Sequence, residues 1–407
     1  MTTTDANQDM TDAIRAPHGL REVARIMFRL GWTAFGGPAA HIALLREEVV
    51  TRRGWMTQER FLDMVGASNL VPGPTSTQTV MHTSYARAGW RGLFLGGTLF
   101  ILPAATLVLL CAWLYERYGT TPGGAWVLYG IKPVVIAVVV QAVWSLGRTA
   151  FKNVPLAAVG FAVFALYLWG GNEIALLFGA AALVTLVANA RRLRTPGVSA
   201  RGVLPLFLWA GAWPALPTLP VIAAVAVAAT SSRVSTLFFT FLKIGAVLYG
   251  SGYVLLAFLR DDFVNRLGYI TNQQLLDAVA VGQFTPGPVF TTATFVGYLA
   301  GGFPGAVAAT VGIFLPAYAF VALSVPLLPH IRKSLWTAAA LDGVNVAAVG
   351  LMAAVAVTLE RAALVDWVTV TLAALAAVLL VRFKVNSVPL ILGGAVVGVL
   401  YHVLGGR

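Results

Sequence analysis

The chain has 407 residues, of which 58% are hydrophobic and 11% charged, and its formal net charge is +12. Soluble globular proteins contain about 25% charged residues, so this composition argues strongly against a water-soluble enzyme. One cysteine and five scattered histidines predict neither a disulfide scaffold nor a metal site. The excess of Lys and Arg fits the cytoplasmic loops of a membrane protein better than a nucleic-acid partner, because no basic run alternates with aromatic residues.

Thirteen apolar windows predict an all-α polytopic membrane protein with about 13 transmembrane segments. The windows are 28–45, 62–82, 91–114, 125–146, 154–171, 173–190, 205–230, 236–258, 275–296, 303–328, 336–359, 362–381 and 386–404. The window at 205–230 contains four prolines and is the least regular. Most Lys and Arg residues of the loops fall on the same side as the N-terminus, which predicts a cytoplasmic N-terminus. The polar start of the chain lacks the apolar core of a signal peptide.

The two halves of the chain repeat each other at an offset of 214 residues, which becomes 213 after one deletion. FRLGWTAFGGP at 28–38 aligns with LKIGAVLYGSG at 242–252, and VPGP aligns with TPGP. The predicted organisation is a tail (1–19), repeat 1 (20–191), a linker with a connecting transmembrane segment (192–232) and repeat 2 (233–407). One odd window between two sets of six predicts inverted-topology repeats. Secondary transporters are commonly built in this way, with a midplane site.

Glycine and proline triplets interrupt the first two windows of each repeat. They are Gly36-Gly37-Pro38, Pro72-Gly73-Pro74, Gly250-Ser251-Gly252 and Pro286-Gly287-Pro288. Because these residues free or break helical backbone, they predict broken or re-entrant helices. Unpaired backbone at membrane depth needs protein or a watery cavity around it, and a half-helix that begins there attracts anions. A simple proline kink is the alternative for each triplet alone.

The candidate substrate-binding residues are either embedded cations or polar and flexible residues near the breaks. They are Arg29, Lys132, Lys243, Asn69, Gln283, Asn345, Gly36, Gly37, Pro38, Gly250, Ser251, Gly252, Pro72, Gly73, Pro74, Thr75, Ser76, Pro286, Gly287 and Pro288. Cations inside apolar windows are costly in hydrocarbon and so point to function. For Arg29, near the start of its window, snorkelling to the headgroups is the alternative. The sequence predicts no catalytic residue and no metal ligand.

Three further residues are candidates for proton coupling: Asp63, Asp277 and His41. Burial favours the neutral form of a carboxyl group, so a buried aspartate can carry a proton. The two aspartates lie near the start of the second window of each repeat. They can equally cap helices or pair with Arg60 and other loop cations. His41 has no histidine at the equivalent position of repeat 2, and a packed, hydrogen-bonded role is the alternative for it.

The motifs FGGPAAHIALLREEVV, RRGWMTQERFLDMVGASNLVPGPTSTQ and YITNQQLLDAVAVGQFTPGPV resemble the chromate ion transporter family in its long, two-domain form. The resemblance extends from about residue 20 to the end. It implies a multi-pass protein of the bacterial inner membrane that exports chromate, draws on the proton motive force and confers chromate resistance. The expected partners are a chromate- or sulfate-like oxyanion, protons, the lipid bilayer and, in a homodimer, a second copy of the chain. No cofactor is expected.

Other functions stay open at this point. Chromate and sulfate are both tetrahedral dianions, so an importer or exchanger of sulfate or another oxyanion fits the same residues, and so does a channel. An aspartyl intramembrane protease fits poorly, because the flanks LDMVG and LDAVA contain no GxGD motif. Each charge that leaves a negative interior gains about 2.3 kcal/mol per 100 mV, so the potential alone can drive export of a dianion. Proton exchange therefore remains a hypothesis.

Overall fold

The computed structural model describes residues 19–193, 232–249, 252–331 and 335–405. These residues are largely helical, and none of them forms a β-strand. The window at 205–230, on which the inversion of the repeats depends, lies outside the described residues, as do Gly250 and Ser251.

Each half begins with short helices and continues with long ones. The helices of the first half are α1 (Gly19–Thr33), α2 (Gly37–Arg46), which runs into a π-helical segment (Glu47–Arg52), α3 (Gln58–Leu70), α4 (Thr75–Tyr118), α5 (Pro122–Ala150), α6 (Val154–Leu168) and α7 (Glu173–Leu193). Those of the second half are α8 (Ser232–Val247), α9 (Leu255–Leu259), with a π-helical segment (Arg260–Arg266), α10 (Asn272–Phe284), α11 (Thr292–Ile331), α12 (Leu335–Ala363), α13 (Trp367–Arg382) and α14 (Ser387–Val403). The order is the same in both halves, so α1 corresponds to α8 and α7 to α14.

Four helices among the described residues are long and apolar enough to cross a membrane. They are Thr75–Tyr118, Pro122–Ala150, Val289–Val325 and Ala338–Ala363. Four shorter apolar helices accompany them: Val154–Leu168, Glu173–Asn189, Trp367–Arg382 and Ser387–Val403. The chain is therefore a helical membrane protein. The prediction of about 13 segments is not reproduced as 13 continuous helices, because the first two windows of each repeat are interrupted.

The first predicted window, 28–45, is not one helix. Helix α1 starts earlier, at Gly19, and ends at Thr33. Its buried residues include Val23, Ile26 and Leu30 at helical spacing, whereas Arg25 and Arg29 are exposed. Such a stripe is typical of an amphipathic helix that packs along one face, and the hydropathy window hides it because the helix begins in a charged stretch.

Helices α4 and α11 each fold back on themselves. Helical geometry fails at Ala88 and Gly89 in α4 and at Gly301 and Gly302 in α11, with φ of 61° at Gly89 and 62° at Gly302. The two arms then pack closely: a Cβ on Gly92 would lie 2.2 Å from the carbonyl oxygen of Ser84. Only glycine adopts a positive φ without strain, so each long helix is a tight helical hairpin.

The peripheral helices are exchanged between the halves. Helix α5 packs against α13 and α14 of the second half, and α12 packs against α6 and α7 of the first. Backbones approach closely at equivalent places: a Cβ on Gly130 would lie 1.9 Å from the Gly394 carbonyl oxygen, and one on Gly343 2.7 Å from that of Ala180. Small residues of this kind allow close helix packing in membranes.

Helices α5 and α12, which correspond to each other, run antiparallel. Lys152, just after the end of α5, contacts Asp342 near the start of α12, and Gly147 lies beside Val349. Low numbers on one helix therefore meet high numbers on the other. Helix α4 contacts both arms of α11: Thr98 bonds to Tyr318 of the second arm at 2.9 Å, and the ring of Tyr115 lies 5.2 Å from that of Phe295 in the first arm.

The PGP loops cross between the halves. The amide of Gly73 donates to the carbonyl of Leu248 at 2.7 Å, and the amide of Gly287 donates to the carbonyl of Ala34 at 2.8 Å. These two bonds are equivalent at the 214-residue offset. The breaks therefore lie together in the protein interior, where each half satisfies backbone groups of the other.

Candidate functional site

Two helices of the first half begin at the glycine and proline breaks. Gly36 and Gly37 have φ of 98° and 78°, and α2 begins at Gly37. Gly73 has φ of 117°, and α4 begins at Thr75. The first amides of a helix have no acceptor within the helix, so both starts present N–H groups and the positive end of a helix dipole.

Both helix starts open into one cavity of about 600 Å³, lined by Gly36, Gly37, Pro38 and Thr75. The cavity continues between α5 and α12. The polar side chains along it are Asn69, Thr75, Gln141, Ser145, Thr149 and Asn345. This volume is in the range of small-molecule sites, and these neutral side chains can donate hydrogen bonds to oxyanion oxygens.

An ion pair lies at the exposed part of the cavity. The Nζ of Lys152 on α5 is 2.6 Å from a carboxylate oxygen of Asp342 on α12, and the Lys152 side chain is 58% exposed. These are the charged residues of the lining, and their charges cancel. The positive character inside the cavity therefore comes from the two helix starts, which are suited to an anion.

Several predicted site residues meet in this cavity. They are Gly36, Gly37, Pro38, Asn69, Thr75 and Asn345. Ser76 is buried beside them, and its Oγ lies 3.4 Å from Nδ1 of His41. His41 is 3% exposed and meets the ring of Phe100 edge to face, which fits the packed, hydrogen-bonded interpretation. The loop Pro72-Gly73-Pro74 is held in place, because the side-chain amide of Gln78 donates to the carbonyl of Pro72.

Arg29 and Lys243 do not line the cavity. Arg29 pairs with Glu48, which also binds Arg52 and Arg53. Lys243 lies 2.6 Å from Asp262, which binds Arg266 at 2.8 Å. In both halves the buried carboxylate belongs to the π-helical segment, so each embedded cation has an internal counter-charge. The expectation that these two cations join the breaks is not met by this arrangement.

Lys132 and Asp277 form a separate, buried pair. Nζ of Lys132 is 3.3 Å from Oδ1 of Asp277, and their side chains are 10% and 1% exposed. The hydroxyl of Tyr115 donates to Oδ2 of Asp277 at 2.8 Å. Asp277 is not a helix cap, since Thr271 caps α10, just as Thr57 caps α3 ahead of Asp63. The capping interpretation of the two aspartates is therefore wrong.

The polar residue shortly before each PGP loop differs in exposure, since Asn69 is exposed and its equivalent Gln283 is buried. Gly252 and Gln283 are buried, and Gly287 has φ of 86°. The loops Pro72-Gly73-Pro74 and Pro286-Gly287-Pro288 are both buried throughout. Thr291 donates its hydroxyl to the Pro288 carbonyl at 2.8 Å, so this side chain is engaged by its own backbone.

Sequence reasoning missed the α5 wall of the cavity. Gln141, Ser145 and Thr149 stand at positions i, i+4 and i+8, which places them on one face of a helix. In an otherwise apolar helix such a stripe marks a face that meets water or protein. The same reading along α12 gives Ala354, Thr358 and Ala362, where a polar stripe is lacking.

The chain is similar to known transport proteins along most of its length. The chromate transporter family model matches residues 21–186 and again 235–399. A chromate transport protein of Pseudomonas aeruginosa is 34% identical over 97% of this chain and 95% of its own length. A chromate transport protein of Cupriavidus metallidurans is 31% identical over 92% of this chain and 91% of its own.

A more distant relative is a probable chromate transport protein of Synechococcus elongatus, 28% identical over 87% of this chain and 88% of its own. No solved structure matches. The double match of the family model and the two close relatives of nearly full length establish that the chain belongs to the chromate transporter family.

Proposed function

We propose that the protein is a secondary active transporter that exports chromate across the bacterial plasma membrane. The observation that carries this proposal is the cavity of about 600 Å³ into which two helix N-termini open among neutral hydrogen-bond donors. A tetrahedral dianion fits such a site, because several donors can share its four oxygens and two helix dipoles oppose its charge. The relatives named as chromate transport proteins support the choice of substrate.

The two halves are proposed to have opposite orientations in the membrane. Support comes from the antiparallel contacts of α5 with α12. If corresponding helices cross the bilayer in opposite directions, the breaks lie near the midplane and are reached from the two sides in turn. Inverted repeats with broken helices at the midplane are typical of secondary transporters.

Export is proposed to draw on the proton motive force and to confer chromate resistance. Part of the driving force acts directly on the anion, since a dianion that leaves a negative interior gains about 4.6 kcal/mol at 100 mV. A proton that enters in exchange adds the pH gradient to this term. The N-terminus is proposed to be cytoplasmic.

The test is flux of chromate in liposomes containing purified protein, with the membrane potential and the pH gradient imposed separately. We expect each gradient alone to drive uphill flux that saturates with chromate. Flux that responds to the membrane potential but not to the pH gradient would exclude proton coupling. Flux that does not saturate with chromate would indicate a channel.

A matched pair of variants ties the flux to the cavity. Asn69→Leu removes a donor from the cavity, whereas Leu62→Asn adds the same amide to an exposed position of the same helix. We expect only Asn69→Leu to lower chromate flux, by about tenfold for a lost hydrogen bond to a charged ligand. Equal effects of the two variants would contradict the assignment. Excess sulfate in the same assay distinguishes a chromate exporter from a sulfate exchanger. In a sulfate exchanger, sulfate strongly inhibits chromate flux, and labelled sulfate is itself transported.

A further inference from the structure

The residues equivalent to Asn69 and Asn345 of the cavity, at offsets of 214 and 213 residues, lie in a second region. We call it the closed region because these residues are buried. Asn69 corresponds to Gln283 and Asn345 to Lys132. Asn69 and Asn345 are exposed and line the cavity, whereas Gln283 is 5% exposed and Lys132 8% exposed. The same positions of the two halves are therefore open on one side and packed on the other. For a protein with two equivalent halves, this is the asymmetry expected when one side is accessible at a time.

The closed region differs from the open one in charge. Where the open cavity has neutral Asn345, the closed region has the cation Lys132, which Asp277 neutralises at 3.3 Å. Tyr115 holds the other carboxylate oxygen at 2.8 Å, and the residue equivalent to Tyr115 in the second half is Leu328. The Lys–Asp–Tyr group, to which both halves contribute, thus exists at only one of the two equivalent places. An ion pair this deeply buried is expensive, and the equivalent place has neutral Asn345 in the position of Lys132, so the fold does not require the pair.

We propose that the closed region is the second half-site for the same anion, that Lys132 is its ligand, and that Asp277 holds the place of the anion until it takes up a proton. This inference rests on the proposed function. When access changes sides, an oxyanion that approaches Lys132 also approaches the carboxylate of Asp277. Two negative groups cannot share one ammonium at close range without strong repulsion.

One proton resolves this conflict. The carboxylate of Asp277 forms an O–H bond with a proton from the newly accessible side. The ammonium of Lys132 then leaves Asp277 and pairs with the oxyanion. After the anion departs, Asp277 keeps the proton until access returns to the first side. It releases the proton there and the ion pair with Lys132 forms again, so that one proton crosses the membrane in the direction opposite to the anion. The titratable and charged groups of the described residues that face Asp277 are Lys132 from α5 and Tyr115 from α4, so no other cation there competes for the carboxylate.

The experiment compares two fluxes in proteoliposomes, with chromate as the probe: exchange of labelled for unlabelled chromate at equal pH, and uphill flux driven by a pH gradient. The measured quantity is the ratio of pH-driven flux to exchange. We expect Asp277→Asn to lower this ratio at least about tenfold, because an amide cannot release a proton, and Asp277→Glu to retain it. Asp63→Asn alters the equivalent aspartate of the first half and should leave the ratio near that of the unaltered protein.

A second variant guards against misfolding. Asp277→Asn alone leaves Lys132 buried without a counter-charge, so the double variant Lys132→Asn/Asp277→Asn replaces the pair by two neutral amides. We expect the double variant to elute as a single species and to lose the pH-driven component as well.

The outcomes separate the two claims. Absence of any chromate exchange in the unaltered protein contradicts the proposed function. Chromate flux with an unchanged ratio in Asp277→Asn or in the double variant overturns the role of Asp277 while the proposed function stands. Loss of both fluxes in a folded Asp277→Asn protein also overturns it, because a neutral amide at this position leaves Lys132 free to pair with the anion.

Discussion

After the halves were duplicated, the ion pairs of the two π-helical segments stayed alike, whereas the cavity and the closed region came to differ in charge. At the π-helical segments both halves retain a cation paired with a buried carboxylate, Arg29 with Glu48 and Lys243 with Asp262. At the centre, Asn345 lines a cavity where its equivalent, Lys132, is buried in an ion pair. An interaction that both halves keep stabilises the fold that both halves share. An interaction found at only one of two equivalent places is the better candidate for function.

The first prediction removes the shared ion pairs. Asp262→Ala leaves Lys243 and Arg266 without their buried counter-charge, and Glu48→Ala does the same in the first half. We expect each to lower the free energy of unfolding by about 2 kcal/mol, because the charge-assisted hydrogen bonds of the carboxylate are lost while the cations left behind are partly exposed to solvent. The measurement is the melting temperature of detergent-solubilised protein.

The control for these variants is Glu360→Gln, which changes an exposed carboxylate and should leave the melting temperature unchanged. A stable Asp262→Ala protein that no longer binds chromate would reverse the conclusion and place this cluster in the binding site.

The second prediction concerns the exchanged helices. Gly130→Ala places a methyl group against the Gly394 carbonyl, and Gly343→Ala places one against that of Ala180. We expect each to lower the free energy of unfolding by about 2 kcal/mol, since overpacking forces the helices apart. Gly179→Ala, which meets nothing within 4 Å, is the control for the melting temperature. A large difference between the two central glycine variants would show that the halves are not packed equivalently.

The third prediction concerns the open cavity. Asn345→Asp adds a negative charge to the wall that faces the two helix starts. We expect the KM for chromate to rise at least about tenfold, which corresponds to about 1.4 kcal/mol of repulsion. Asn153→Asp makes the same change at an exposed helix cap and should leave the KM unaltered. An unchanged KM in Asn345→Asp would remove the cavity from the path of the anion.

The smallest expected effect is at the mouth of the cavity. Asp342→Asn breaks the ion pair with Lys152, whose side chain is 58% exposed. Exposed pairs contribute about 0–1 kcal/mol, so stability should hardly change. The freed Lys152 should raise the rate of chromate entry about twofold at low ionic strength and not at high salt. A salt-independent change would show that the pair acts on the conformation of the protein.

The sequence predicts the features that depend on local chemistry. The glycine and proline triplets mark where helices end, and the offset identifies which residues are equivalent. Lys132 stands out as a cation inside an apolar window. The partners of Arg29 and Lys243 are not predicted, because Glu48 and Asp262 follow a break after which the chain turns back. Hydropathy carries no information on the direction of that turn.

The wall of the cavity was missed for a different reason. Gln141, Ser145 and Thr149 form a regular stripe, but an apolar window averages over it. Asn345 of the second half reaches the cavity because α5 packs against α12. This contact joins residues far apart in the sequence, so it is not predicted from local patterns. The alignment of the two halves shows which residues are equivalent, but it does not show which of the two equivalent sites is open and which is closed.

A structure determined with chromate at a saturating concentration would show directly whether the anion binds in the cavity. We expect density for one tetrahedral anion in the cavity, within hydrogen-bond distance of Asn69, Thr75 and Asn345. Density beside Arg29 or Lys243 with an empty cavity would contradict it.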